Sequence, residues 1–223
     1  TAIKYHARFL FETNVGAGLP VISTASDLLK SGDKVSKIEA VLSGTLNFLF
    51  NHYDATVPFQ QVVKRAKDEG YTEPDPKIDL SGIDVQRKIL ILARESGHKL
   101  ELDEIQNRSF LPDDCLETQT VEELYKRLLE HEDHFKQLFK KANEQGKKLK
   151  FVASFDKESG HAEIGLQAYS AEHPFYSLKG KDNVVLFYTK RYHDYPLIVQ
   201  GAGAGSAVTA SGIFADILRI ADA

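Results

Sequence analysis

The 223-residue chain has no methionine, no tryptophan and one cysteine, Cys115. A single cysteine forms neither an internal disulfide nor a cysteine-rich metal site, so the composition fits a reducing compartment and a cytoplasmic location is expected. No stretch approaches the roughly 18 apolar residues of a membrane span. The opening TAIKYHARFLFE is charged within four residues and lacks a secretory pattern. Basic side chains number 28 against 32 acidic ones, a formal net charge of −4 that gives phosphates no large positive field, so no nucleic-acid partner is expected. The missing methionine and the start at Thr1 lead to the expectation of a piece of a longer polypeptide. With 42% apolar and 27% charged residues, the composition is that of a folded domain rather than a disordered chain. At this length folding hides roughly 70% of the unfolded surface, so a core needs no metal or disulfide.

Periodicity predicts alternating strands and helices, then a strand-rich end. Phe9-Leu10-Phe11 reads as a short buried strand, followed by the glycine-rich turn Glu12 to Gly18. Pro20 opens a helix through Leu29 that stops at Ser31-Gly32, and Val35 to Val41 alternates as a half-buried strand. Ser43-Gly44-Thr45 opens an apolar helix, 59–69 is an amphipathic helix ending at Gly70, and 81–95 is another. Residues 121–145 read as one long charged helix. Strands are expected at 149–155, 162–169, 184–189 and 197–199, and a last helix at about 206–220. The fold class is therefore α+β, with a mixed, largely antiparallel sheet covered by helices.

Five segments can carry chemistry. In Thr72-Glu73-Pro74-Asp75-Pro76 the prolines hold Glu73 and Asp75 extended, which gives either a rigid acidic site or a solvated turn. Ser81-Gly82-Ile83-Asp84 resembles a capping box, with Asp79 at the helix entrance. Asp84 and Lys88, four apart, make a surface ion pair or, behind that stiff turn, an acid-base pair. Gly201-Ala202-Gly203-Ala204-Gly205-Ser206 joins a strand to a helix. It cannot be a complete dinucleotide site, because the 18 residues after Gly205 leave no room for a second strand and its ribose-binding acid. It serves tight packing or part of a phosphate-facing surface. The turn from Glu12 to Leu19 is an ion-free bend or a cradle for a hard cation. His131 and His134 lack a third metal ligand nearby in sequence.

Together these segments resemble the homoserine dehydrogenase family. The match is most specific in Gly70-Tyr71-Thr72-Glu73-Pro74-Asp75-Pro76, Asp79-Leu80-Ser81-Gly82, Asp84-Val85 and Arg87-Lys88. Thr13 to Pro20, Leu42-Ser43-Gly44-Thr45-Leu46 and GAGAGSAVTASGIFA from Gly201 are similar to further family segments in the same order. The Thr-Asn-Val start looks most like the dehydrogenase module of bifunctional aspartokinase–homoserine dehydrogenases.

The resemblance implies NAD(P)-dependent interconversion of L-homoserine and L-aspartate 4-semialdehyde, as in threonine and methionine biosynthesis. It implies Lys88 as the proton-transferring residue, and Glu73, Asp79 and Asp84 around the substrate. Gly205 is implied against the cofactor, and Glu12 with the carbonyls of Val15, Ala17 and Leu19 at a sodium ion. Residues 1–200 would form the catalytic and dimerisation domain, and 201–223 a glycine turn and helix returning to an NAD(P)-binding Rossmann half. That half and a second active-site lysine lie outside this chain, so the chain is expected to be inactive alone and to act as a homodimer or higher homo-oligomer. The competing reading is a non-catalytic dimerisation module.

Overall fold

The computed structural model describes residues 3–5, 7–180 and 182–221; the outer limits of the two expected regions, residues 1 and 223, lie outside them. In chain order the elements are α1 (Val21–Lys30), β1 (Val35–Val41), α2 (Gly44–His52), α3 (Phe59–Asp68), α4 (Pro76–Leu80) and α5 (Ile83–Glu95). There follow β2 (Ile105–Arg108), α6 (Asp113–Leu116), α7 (Val121–Glu130), α8 (Glu132–Asn143), β3 (Lys148–Asp156), β4 (His161–Tyr169), β5 (Asp182–Thr189), β6 (Leu197–Ala202) and α9 (Ser206–Ala221).

The six strands form one sheet in the order β2-β4-β3-β1-β5-β6. Every neighbouring pair is antiparallel except β2 with β4, so the sheet is mixed and mostly antiparallel. Because side chains alternate across a strand, the sheet has two apolar faces. Ile38, Ala40, Phe151, Phe155, Val185 and Phe187 join the helices in the main core, while Val41, Val152, Val184 and Leu186 pack with Phe175 and Leu178 on the other side.

Local chemistry fixes several boundaries. Ser43 caps α2 by accepting the Leu46 N–H at 3.1 Å, and Gly32 and Gly70 follow α1 and α3 with φ of +82° and +74°, where glycine meets no Cβ penalty.

Three expectations are corrected, and one element, α4, is added. Phe9-Leu10-Phe11 is not a buried strand: no strand of the sheet pairs with it, and Phe9 is 70% exposed. The long helix over 121–145 is two helices broken at His131. The break is tertiary, because the buried Glu132 carboxylate accepts the Tyr53 hydroxyl at 2.9 Å and the Phe59 N–H at 2.7 Å. The acidic proline segment runs into a short helix, α4, whose N-cap is Asp75. Lastly, Ser81 forms no capping box. Its hydroxyl donates to the Ile78 carbonyl at the end of α4, and Gly82 takes the N-cap position of α5 at φ +73°. A Cβ there would also lie 2.7 Å from the Phe151 ring, so the α4–α5 corner requires glycine twice over.

The last helix returns across the first turn. Asp216 accepts the Glu12 N–H at 2.9 Å, and Arg219 reaches both Asp216 (2.8 Å) and Glu12 (3.3 Å). A Cβ on Gly18 would lie 2.2 Å from the Val208 carbonyl oxygen, so turn and helix meet backbone to backbone. Gly18→Ala should therefore destabilise the protein by about 1–3 kcal/mol and make α9 the first site of limited proteolysis. A parent-like digestion pattern and urea midpoint would contradict this.

Candidate active site

The segment Leu42–Thr45, between β1 and the first turn of α2, gathers the candidate residues. At one end the Leu42 carbonyl accepts the Lys88 Nζ at 3.0 Å. At the other, the Thr45 hydroxyl donates to Asp79 Oδ1 at 3.0 Å and also to the Tyr71 carbonyl. Lys88 makes a 2.7 Å ion pair with Asp84, one turn earlier on α5; the lysine side chain is 19% exposed and the aspartate 60%. An ammonium has three N–H donors, and Asp84 and Leu42 take two of Lys88's; the third has no partner among the described residues.

Asp79 supports the acidic turn. Its Oδ2 accepts the Glu73 N–H at 2.8 Å, which leaves the exposed Glu73 carboxylate directed by a fixed backbone. Burial raises the Asp79 pKa above the usual carboxylate range, against the opposing hydrogen bonds from Glu73 and Thr45. Asp75, by contrast, caps α4 through the Lys77 N–H at 3.0 Å.

The other candidates lie at the start of α9 and in the turn before α1. Gly205, at φ +126°, faces open space, with no atom within 4 Å of a Cβ placed on it. In the turn below α9, Gly16 and Ala17 are left-handed (φ +75° and +53°). The buried Glu12 carboxylate accepts the first N–H groups of α1, from Ile22 at 2.7 Å and Ser23 at 3.0 Å, besides pairing with Arg219. The Val15 and Ala17 carbonyls accept no hydrogen bond among the described residues, and the Leu19 carbonyl accepts the Val21 N–H at 2.8 Å.

His131 and His134 do not converge. His131 Nε2 bonds Asp114 at 2.8 Å and lowers that carboxyl's pKa, while His134 Nε2 bonds the Phe110 carbonyl.

Sequence reading missed three polar groups. Thr45 lies within a recognised motif, but its partner Asp79 is 34 residues away. Asn183 is buried in β5, and its Nδ2 has no hydrogen-bond partner among the described residues. Lys150 of β3 is fully buried, and its Nζ donates to Asn47 Oδ1 (3.0 Å), Asn51 Oδ1 (2.7 Å) and the Leu178 carbonyl (2.8 Å).

The α+β domain thus holds a lysine between a carboxylate and a main-chain carbonyl, together with a braced acidic turn. The family model for homoserine dehydrogenase matches residues 20–218. The chain belongs to the homoserine dehydrogenase family of oxidoreductases. It is 46% identical over 218 residues to a chloroplastic bifunctional aspartokinase/homoserine dehydrogenase 2 of Arabidopsis thaliana, covering 98% of this chain and 24% of that protein. A Candida auris crystal structure, described as a protein of unknown function, superposes with a TM-score of 0.89 at 42% identity over 95% of this chain and 60% of its own. A hyperthermophilic archaeal homoserine dehydrogenase in complex with NADPH gives a TM-score of 0.72 at 25% identity, over 99% of this chain and 57% of its own. The chain thus spans between a quarter and three fifths of the length of these relatives.

Proposed function

We propose that this chain is the substrate-handling part of a homoserine dehydrogenase that interconverts L-homoserine and L-aspartate 4-semialdehyde. The observation that carries this reading is the Lys88 Nζ, fixed by Asp84 and Leu42 with one N–H unpartnered among the described residues. In reduction that N–H gives its proton to the aldehyde oxygen and leaves the neutral amine; in oxidation the neutral amine, through its lone pair, takes the proton from the hydroxyl and becomes the ammonium. A bound nicotinamide, NAD or NADP, supplies the hydride acceptor or donor. Asp84 fixes the lysine, Asp79 braces the turn through Thr45 and Glu73, and Glu73 meets the substrate ammonium. Gly205, open and free of a side chain, fits close approach of the cofactor.

Most cofactor contacts would come from a Rossmann half outside this chain, against which residues 201–223 return. Exposed apolar residues on α9, Ile213, Phe214 and Ile217, support that docking. We infer that the isolated chain is inactive and that the working enzyme is a cytoplasmic homodimer or higher oligomer. Sedimentation showing a strict monomer at high concentration would count against the assembly. The free carbonyls of Val15 and Ala17, with Leu19 and the nearby charge of Glu12, fit a hard monovalent cation such as sodium.

Glu73→Gln in the full-length protein should raise the KM for homoserine about tenfold or more, with kcat changed less than about threefold, as the loss of a ground-state contact requires. A loss confined to kcat would remove Glu73 from substrate binding.

A further inference from the structure

Asn183 is 1% exposed and stands at the junction of the two clusters described above. On one side it pairs with Gly201 of β6. On the other, it precedes Val184, whose ladder partner Val41 precedes Leu42, so Asn183 neighbours the residue whose carbonyl holds Lys88. Its side chain shares the helix-covered face with Val185 and Phe187.

Two details set it apart from a packing residue. A Cβ placed on Gly203 would lie 1.6 Å from Asn183 Oδ1, so the amide fills the space that a side chain at 203 would need. Gly203 and Ala204 make no backbone hydrogen bond among the described residues, which leaves that amide as the wall the turn rests on. Its buried Nδ2 also has no hydrogen-bond partner among the described residues. Buried donors are nearly always paired, and an unpaired one beside an open glycine turn calls for an acceptor that arrives from outside the chain.

We propose that Asn183 is a cofactor-positioning residue, seating the Gly203–Gly205 turn and donating its Nδ2–H to the carboxamide oxygen of the nicotinamide that lies on that turn. The inference rests on the dehydrogenase reading above. Its place between Gly201 and Leu42 puts it between the turn and the proton-transferring lysine, where a nicotinamide ring must lie to exchange hydride with the substrate carbon.

The test is NADPH titration, followed by nicotinamide fluorescence, of the full-length protein and its Asn183→Ala and Asn183→Asp variants. Both variants should weaken NADPH binding at least tenfold in protein that stays folded at the assay temperature, with the KM for homoserine at saturating NADP⁺ within about twofold; both lower the Tm, Asn183→Ala by the cavity it opens and Asn183→Asp by the carboxylate it buries. Aspartate keeps the size of asparagine and an oxygen against Gly203 but lacks the donor. Parent-like NADPH affinity in Asn183→Asp would overturn the assignment, as would an equal rise in homoserine KM. The binding readout is independent of turnover. A parent protein that binds NADPH through Asn183 but leaves homoserine untouched would overturn the substrate reading alone. One that oxidises homoserine with NADPH affinity indifferent to Asn183 would overturn only this inference.

Discussion

Lys88→Ala is expected to lower kcat for homoserine oxidation about 100- to 10,000-fold in the full-length protein, the range for loss of a positioned proton-transfer group. The KM for homoserine should move only a few-fold, because the proposed substrate contact, Glu73, is on a separate turn braced by Asp79 and is left in place. The variant should fold: Lys88 is partly exposed, and the Asp84 carboxylate left behind is largely in solvent. Its Tm therefore separates a chemical defect from a structural one. Unchanged turnover in a folded Lys88→Ala protein would refute the assignment of the proton to this residue.

The second large effect concerns stability. Lys150→Ala should cost about 3–5 kcal/mol, since it opens a cavity and leaves the oxygens of Asn47, Asn51 and Leu178 without their shared donor. A loss below about 1 kcal/mol in urea unfolding would show that those oxygens find other partners.

The same lysine predicts a pH signature. Burial, helped by the nearby Lys148, pushes its pKa down to about 8 in the folded protein, against about 10.4 in an unfolded chain. Between these values the unfolded state binds more protons, so this group's contribution to stability rises with pH; below 8 its penalty is constant. The buried Cys115 thiol, raised to about 11, and the Tyr188 phenol, raised to about 12, act oppositely at higher pH. Comparison with Lys150→Met cancels those common terms. From pH 8 to 10 the parent should gain about 2 kcal/mol relative to the variant. A pH-independent difference would show that the folded protein holds this amine at an ordinary pKa.

What could be read in advance depended on whether the signal was local. The β1 strand emerges from its alternation at the expected residues, and the run from Gly70 to Lys88 holds most of the candidate site because one continuous segment carries it. Helical periodicity, however, continues straight across His131. The break there comes from Tyr53 and Phe59, more than 70 residues away, gripping Glu132. Lys150 sits in Lys148-Leu149-Lys150-Phe151, an alternation that places lysines in solvent; only the asparagines of α2, about 100 residues earlier, turn one of them into a core residue. Asn183 carries no local pattern, and its isolation is visible only once β1 and β6 flank it.

The contact of α9 with the Glu12 turn also constrains how the molecule is made. Glu12 and Arg219 lie 207 residues apart, so the buried carboxylate that starts α1 lacks its arginine until about two hundred further residues have been synthesised. At ribosomal rates of about 5–20 residues per second, that interval is roughly 10–40 s. Throughout it the nascent turn depends on the α1 amides alone, and this contact closes only when α9 leaves the ribosome and docks on the turn.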